Sequence, residues 1–139
     1  MSLFVRDTDL LTLYYHGDPI VVQRVDSRVP TELAISVLTV DEQLTGWYTL
    51  TRQARGPEAV ARAYAHLGEA VLRLGRWRIL PYTDAAIARV TQLKTLRLNV
   101  RLMDLRIAAV AMENQAVVVT RNRRDFGRVP GLNVEDWSV

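Results

Sequence analysis

The chain has 139 residues, 49% of them apolar, which suits one globular domain with one hydrophobic core. Because it has no cysteine and two histidines, disulfides, iron–sulfur clusters, thiolate zinc sites and a cysteine nucleophile are excluded, and a metal site must use oxygen ligands, as Mg²⁺ or Mn²⁺ prefer. The net charge of +3 is carried by arginines with a single lysine; this suits a nucleic-acid partner, although a genome rich in arginine codons explains the bias equally well.

The first part of the chain predicts a buried strand and two short helices. Leu3–Val5 is a short apolar run, and Thr8–Tyr15 has a compact helical pattern that ends at Gly17. Asp18-Pro19 is typical of a helix start, with an acid at the N-cap and proline at the first helical position. Ile20–Val25 is therefore predicted to be the second helix.

The middle of the chain predicts a strand between two longer helical segments. Leu33–Val40 is dense in branched apolar residues, which is typical of a strand. Thr39 to Glu42 matches a capping box, so a helix is predicted from there to about Arg55. After Gly56-Pro57, apolar residues at spacings of three and four predict a long amphipathic helix that ends at Gly75.

The remaining elements continue the alternation of strands and helices. They are a strand at Arg78–Leu80, a helix capped by Thr83-Asp84, a buried helix opened by Asp104 and running over Ile107–Met112, a strand at Ala116–Thr120, a polar turn at Arg121–Asp125 and an edge strand at Asn133–Trp137. This alternation predicts one domain over residues 1–139, a three-layer α/β/α sandwich with a small, mostly parallel central sheet. No apolar run reaches the roughly 20 residues needed to span a bilayer, and no secretory leader pattern is present, so we expect a cytoplasmic protein without membrane association.

Acidic residues follow the predicted strands. Asp7 lies just beyond the first strand, Glu42 just past the second, and Asp104 at the start of the buried helix, while Asn122 and Asp125 follow the fourth strand. Sites in open α/β sheets lie beyond the carboxyl ends of the strands, so these residues are predicted to reach one crevice. Acids gathered in one crevice repel each other unless a cation is bound, and Mg²⁺ held in this way supports hydrolysis of phosphodiesters.

Each acid also has a purely structural interpretation. Asp7 caps the helix that begins near Thr8, Glu42 completes a capping box with Thr39, and Asp104 favours a helix N-terminus by typically ~0.3–1 kcal/mol. Any one acid taken alone is better explained in this way. Taken together, acids after at least two strand ends favour a shared metal site.

With these residues the chain resembles the PIN domains, in particular the VapC-type toxins of toxin–antitoxin pairs. The matching blocks, in family order, are Val5–Asp9, Ile35–Leu44, Ile79–Tyr82, Met103–Ala109, Val118–Phe126, Val129–Leu132 and Glu135–Trp137. The resemblance implies a Mg²⁺- or Mn²⁺-dependent endoribonuclease, a homodimer and a small antitoxin that blocks the site. It implies that Asp7, Glu42 and Asp104 bind the metal and that the Thr8 hydroxyl supports them. A fourth acid of the family is Asn122 here, and Asp125 is the alternative source of that charge.

The chain departs from the usual pattern at a few positions. Asp9 replaces a more usual asparagine, and Arg6 stands where an apolar residue is common. Arg101 and Leu102 replace a glycine-containing turn; Arg101 either touches an RNA phosphate or makes a surface ion pair, and the ion pair is the favoured interpretation. Since no core acid is removed, we expect activity to survive.

Two rival functions stay open at this point. Asp7-Thr8-Asp9 resembles the D-x-D of haloacid-dehalogenase-like phosphatases, but the glycine and the phosphate-binding lysine of that class are missing. A PIN-fold protein that binds RNA or a partner without cutting is the stronger rival. The predicted homodimer is expected to use apolar helix faces around Ile20–Val25 and Leu44–Leu50.

Overall fold

A computed structural model describes residues 2–139 as one five-stranded sheet with helices on both faces. The strands are β1 (Phe4–Arg6), β2 (Leu33–Ser36), β3 (Arg78–Leu80), β4 (Val117–Val119) and β5 (Asn133–Glu135). The helices are α1 (Thr8–Tyr15), α2 (Pro19–Asp26), α3 (Val37–Gln53), α4 (Pro57–Leu74), α5 (Asp84–Thr95), α6 (Leu102–Glu113) and α7 (Arg123–Phe126), with a 3₁₀ turn at Pro30–Glu32. No helix in residues 2–139 has the length and apolar character required to cross a membrane.

The sheet has the order β3-β2-β1-β4-β5, and every neighbouring pair is parallel. β1 is central, with Phe4 opposite Leu33 of β2 and Val5 opposite Val118 of β4. Helices cover both faces, so β1 and β2 are buried along their whole length, including the polar residues Arg6 and Ser36 at their carboxyl ends. The strand order reverses around β1, and the carboxyl ends of β1, β2 and β4 therefore meet at the edge where α/β sheets place their sites.

The two helical layers bury different parts of the core. On one face α1 and α2 pack against the sheet with Leu10 and Val21 fully buried. On the other face α5 and α6 pack, and residues 107–111 of α6 are 0 or 1% exposed. This confirms the prediction of a central, almost wholly apolar helix after Asp104. It also anchors the first turn of α6 rigidly beside the sheet.

Several boundaries differ from the sequence prediction. The last strand ends at Glu135 rather than Trp137, and the fourth covers Val117–Val119 rather than Ala116–Thr120. The second strand ends at Ser36 rather than Val40, because the Ser36 side chain accepts a hydrogen bond from the Thr39 backbone N–H and starts α3 at Val37. The predicted capping box between Thr39 and Glu42 is therefore wrong. The polar turn predicted at residues 121–125 contains the short helix α7, capped by Asn122, and α6 begins two residues before Asp104.

Candidate active site

Asp7 links the end of β1 to the start of α1. Its Oδ1 accepts a hydrogen bond from the Leu10 backbone N–H at 2.9 Å, so the carboxylate is the N-cap of α1, and its Oδ2 accepts a hydrogen bond from the Thr120 hydroxyl. Burial raises the pKa of Asp7 to about 6; the two hydrogen bonds oppose this rise, and the charges of Asp9 and Asp104 add to it. Asp7 is therefore both a cap and a carboxylate whose charge is costly in the isolated protein.

Glu42 lies in the second turn of α3, one turn later than a capping box would place it. Its Oε1 accepts a hydrogen bond of 2.6 Å from the Thr8 hydroxyl, which also lies 3.3 Å from the hydroxyl of Thr39. Thr8 begins α1 directly after Asp7, so this contact joins the carboxyl ends of β1 and β2. The side chain of Glu42 is thus held over the crevice and has no part in capping α3.

Asp104 and Arg101 complete the crevice from the first turn of α6. Asp104 is 5% exposed, and its Oδ1 lies 2.9 Å from Nη2 of Arg101, while Nη1 of Arg101 lies 3.6 Å from Oε2 of Glu42. The hydrogen bond to Asp104 raises the pKa of Arg101, and the charges of Asp104, Glu42 and Asp7 raise it further. A single cation thus lies between carboxylates that come from different elements of the fold.

The fit of the crevice residues to a divalent metal depends on their donor atoms and on Arg101. No group of three or more Asp, Glu or His side chains within residues 2–139 is already arranged to hold a metal ion. The donor chemistry nevertheless suits a hard cation, because carboxylate oxygens from Asp7, Glu42 and Asp104 face one crevice beside the Thr8 hydroxyl. The residues fit on the condition that the Arg101 side chain, which is 63% exposed, moves aside.

Asn122 and Asp125 lie next to this crevice without entering it directly. The Asn122 backbone N–H donates to the Thr120 hydroxyl at 2.9 Å, so Asn122 reaches Asp7 through Thr120. The Asn122 side chain donates to Oδ2 of Asp125 at 2.9 Å, and Asp125 also forms an ion pair with Arg128 at 3.3 Å. The fold therefore gathers Asp7, Glu42 and Asp104 at the crevice and places Asn122 and Asp125 in a network beside it.

Sequence reasoning missed three contributors to the crevice. Thr120 follows β4 at the same sheet edge as Asp7, and that position was the available signal. Thr39 was assigned to a cap that does not form. Arg101 makes an ion pair, as favoured, and its exposed side chain pairs with the crevice acids Glu42 and Asp104. Asp9, which replaces the more usual asparagine, is exposed and pairs with Arg121 at 2.9 Å.

Comparison with known proteins identifies what the chain is similar to. The model of the PIN domain family matches residues 15–132, a range that contains Glu42 and Asp104 and begins after Asp7. DNA-bound VapBC from Salmonella typhimurium superposes with a TM-score of 0.77 at 26% identity, covering 99% of each chain. VapBC2 from Rickettsia felis, bound to a promoter DNA fragment, has a TM-score of 0.75 at 20% identity and covers 97% of this chain and 98% of its own. VapBC-5 from Mycobacterium tuberculosis, a member of the VapBC family of toxin–antitoxin systems, has a TM-score of 0.61 at 23% identity with full coverage of both chains. No curated protein matches the sequence significantly.

Proposed function

Because the chain belongs to the PIN domain family, we propose that it is a Mg²⁺- or Mn²⁺-dependent endoribonuclease and the toxin of a type II toxin–antitoxin pair. The observation that carries the proposal is the gathering of Asp7, Glu42 and Asp104 at one crevice, where threonine hydroxyls hold two of the carboxylates. A crevice that gathers acids from three elements and already attracts a cation is suited to a metal that binds phosphate.

In this proposal Asp7, Glu42 and Asp104 hold the metal. When bound there, the ion would supply a water of lowered pKa for attack on phosphorus and a counter-charge for the leaving oxygen. Thr8 fixes Oε1 of Glu42 by donating a hydrogen bond to it. The other oxygen, Oε2, faces Arg101 and is the one left to bind the metal. Thr120 orients Asp7 in the same way, so both carboxylates are held before the metal arrives.

RNA is the proposed substrate because of the charges around the crevice. Arg121, Arg123 and Arg124 are exposed at the carboxyl end of β4, on the edge of the sheet that carries Asp7. Once released from the acids, the Arg101 side chain is also free to face a phosphate. Arginine forks bind phosphate in a bidentate manner, so these side chains can hold the backbone of a strand across the acids.

A small antitoxin and a second copy of the chain are the proposed protein partners. The antitoxin is proposed because the relatives named above were solved as VapBC complexes. For the homodimer, the predicted face on α2 contributes less than expected, since Val21 and Val25 are buried inside the chain. Tyr48 and Leu50 of α3 are exposed and offer the apolar surface instead, together with Leu72 of α4. A monomeric mass at micromolar concentration in light scattering would count against the dimer.

Cleavage of a mixed RNA pool tests the nuclease directly. We expect cleavage with added Mg²⁺ or Mn²⁺, none in EDTA, and none in the Asp7→Asn or Asp104→Asn variants. Asp9→Asn is the matched control, because Asp9 is exposed and pairs with Arg121 and not with Arg101 of the crevice. Cleavage that needs no metal and persists in both crevice variants would reject the proposal.

One observation favours a second candidate, a catalytically silent PIN-fold protein that binds RNA or a protein partner. Arg101 already neutralises Glu42 and Asp104, and this contact competes with metal binding. The silent protein would bind the same RNA pool without cutting it in either metal. Arg101→Gln separates the two candidates further, since metal-dependent cleavage gained in that variant would show that the crevice is competent but occupied.

A further inference from the structure

A groove of about 520 Å³ opens beside the crevice and is not used by the proposed chemistry. It lies between α1, α3 and α4, and its size is within the range of small-molecule sites. Glu42 lines both the groove and the crevice, so the two are continuous. Its lining includes the side chains of Tyr15, Gln43, Trp47, His66 and Arg73.

The groove has an aromatic wall of the kind that binds nucleobases. The rings of Trp47 and His66 are stacked, with centroids 5.4 Å apart and planes inclined by 25°. Trp47 is half-buried and His66 exposed, so the pair is fixed on one side and open on the other. Unpaired bases of single-stranded RNA are recognised by stacking on such side chains and by hydrogen bonds to their edges.

Polar groups around this wall can read the edge of a base. The Nε of Arg73 is buried and finds no hydrogen-bond partner among residues 2–139, although its guanidinium lies 5.2 Å from the ring of Tyr15. Gln43 donates to the Thr12 hydroxyl at 3.1 Å, which leaves its amide oxygen as an acceptor. Because Arg73 lines the groove, its guanidinium can donate to a carbonyl oxygen on the edge of a base.

The groove also runs in a direction that suits a single strand of RNA bound across the crevice. Glu42, Gly46 and Leu50 recur every four residues on one face of α3, and all three line the groove. Eight residues of α-helix correspond to roughly 12 Å, so the groove leads from the acids along two turns of the helix. The base of a nucleotide whose phosphate lies at Glu42 is therefore within reach of Trp47.

We propose that this groove binds one base of single-stranded RNA, next to the phosphate that is cleaved, by adding the base to the end of the Trp47–His66 stack. The inference rests on the nuclease function proposed above and gives that site a specificity subsite. It assigns Trp47 to substrate binding, a role that the family resemblance did not include.

Filling the groove is the sharpest test, because Gly46 lines it and a Cβ added there meets nothing within 4 Å. Gly46→Leu should stay folded, because leucine is a better helix former than glycine. Gly68→Leu is the matched control, since Gly68 is also helical and open but does not line the groove. Binding of labelled single-stranded RNA is measured in EDTA by fluorescence anisotropy, with melting curves to verify folding.

Gly46→Leu and Trp47→Leu should each weaken RNA binding about 5- to 150-fold, the range for loss of one stacked base, while Gly68→Leu binds as wild type. Unchanged RNA affinity in Gly46→Leu and Trp47→Leu would overturn the inference, and so would loss of antitoxin binding alone, which would assign the groove to the protein partner. Failure of the nuclease proposal is distinct: wild type would not cleave in metal, while the effect of Gly46→Leu on binding would persist.

Discussion

Arg6 and Asp7 are neighbours in the chain, and the fold treats their charges in opposite ways. Asp7 lies at the edge of the sheet, where Leu10 and Thr120 donate hydrogen bonds to it and a crevice opens to solvent. Arg6 is fully buried in β1, its three side-chain nitrogens have no hydrogen-bond partner in residues 2–139, and its guanidinium lies 3.9 Å from the Trp77 ring. Burial raises the pKa of Asp7 to about 6 and lowers the pKa of Arg6 to about 10. The Asp7 carboxylate has hydrogen-bond donors around it at an open edge of the sheet, whereas the Arg6 guanidinium has no hydrogen-bond partner and is a cost to the core.

Of the variants that test this comparison, the largest effect is expected for a crevice acid, Glu42. Glu42→Gln should lower metal-dependent RNA cleavage by at least about 100-fold, because it removes a metal-binding charge, while the free energy of unfolding changes by less than about 0.5 kcal/mol. The glutamine carbonyl can still accept the hydrogen bond from Thr8, and Glu42 does not cap α3. Cleavage assays and urea unfolding measure the two quantities. Normal cleavage by this variant would remove Glu42 from the site.

Asp7→Asn should show that the crevice acid costs stability when no metal is present. The pKa of Asp7 is raised from 3.8 to about 6, so folding favours the protonated carboxyl, and stability falls as pH rises through about 6. Above that pH asparagine should increase the free energy of unfolding by up to about 3 kcal/mol in EDTA, and below pH 4 the gain should disappear. Asparagine keeps the cap, since its oxygen accepts from Leu10. A gain that is the same at pH 4 and pH 8 would contradict this account.

Arg6→Met tests the other side of the comparison. Removing a buried charge that lacks hydrogen bonds should increase the free energy of unfolding by about 1–2 kcal/mol, even after the contact with Trp77 is lost. Arg28→Met is the matched control, because Arg28 also lies over an aromatic ring, that of Phe4 at 4.4 Å, but is exposed and paired with Glu32. We expect that control to change stability by less than about 0.5 kcal/mol. If Arg6→Met is instead the less stable protein, the ring contact outweighs the missing hydrogen bonds.

Asp7 and Arg6 also show which features of the fold and the site could be predicted from the sequence. Asp7 after an apolar strand predicted both the strand end and the crevice, because carboxyl ends of parallel strands share one edge. Arg6 was unexpected within a buried strand, since a central parallel strand has no exposed face. The end of β2 was misplaced because an apolar run does not distinguish a strand from a buried helix, and only the Ser36 side-chain cap decides it. Arg101 was not assigned to the crevice, because an ion pair three residues from Asp104 also suits an outer surface.

The smallest effect on stability is expected for Thr120→Val, which removes a hydrogen bond to Asp7. The hydrogen bond that Thr120 donates lowers the pKa of Asp7 against the rise caused by burial, so valine should move that pKa above about 6. The Asn122 backbone N–H also loses its acceptor, and we expect a net loss of stability of about 1 kcal/mol. The pKa can be followed by NMR titration of the Asp7 carboxyl carbon in EDTA, with Thr91→Val as a control, since the Thr91 hydroxyl donates to the Ile87 carbonyl within α5. Because asparagine at position 7 has no charge to stabilise, the double variant with Asp7→Asn should show only the part of the loss that belongs to Asn122. An equal loss in both backgrounds would mean that Thr120 supports the loop and does not tune the acid.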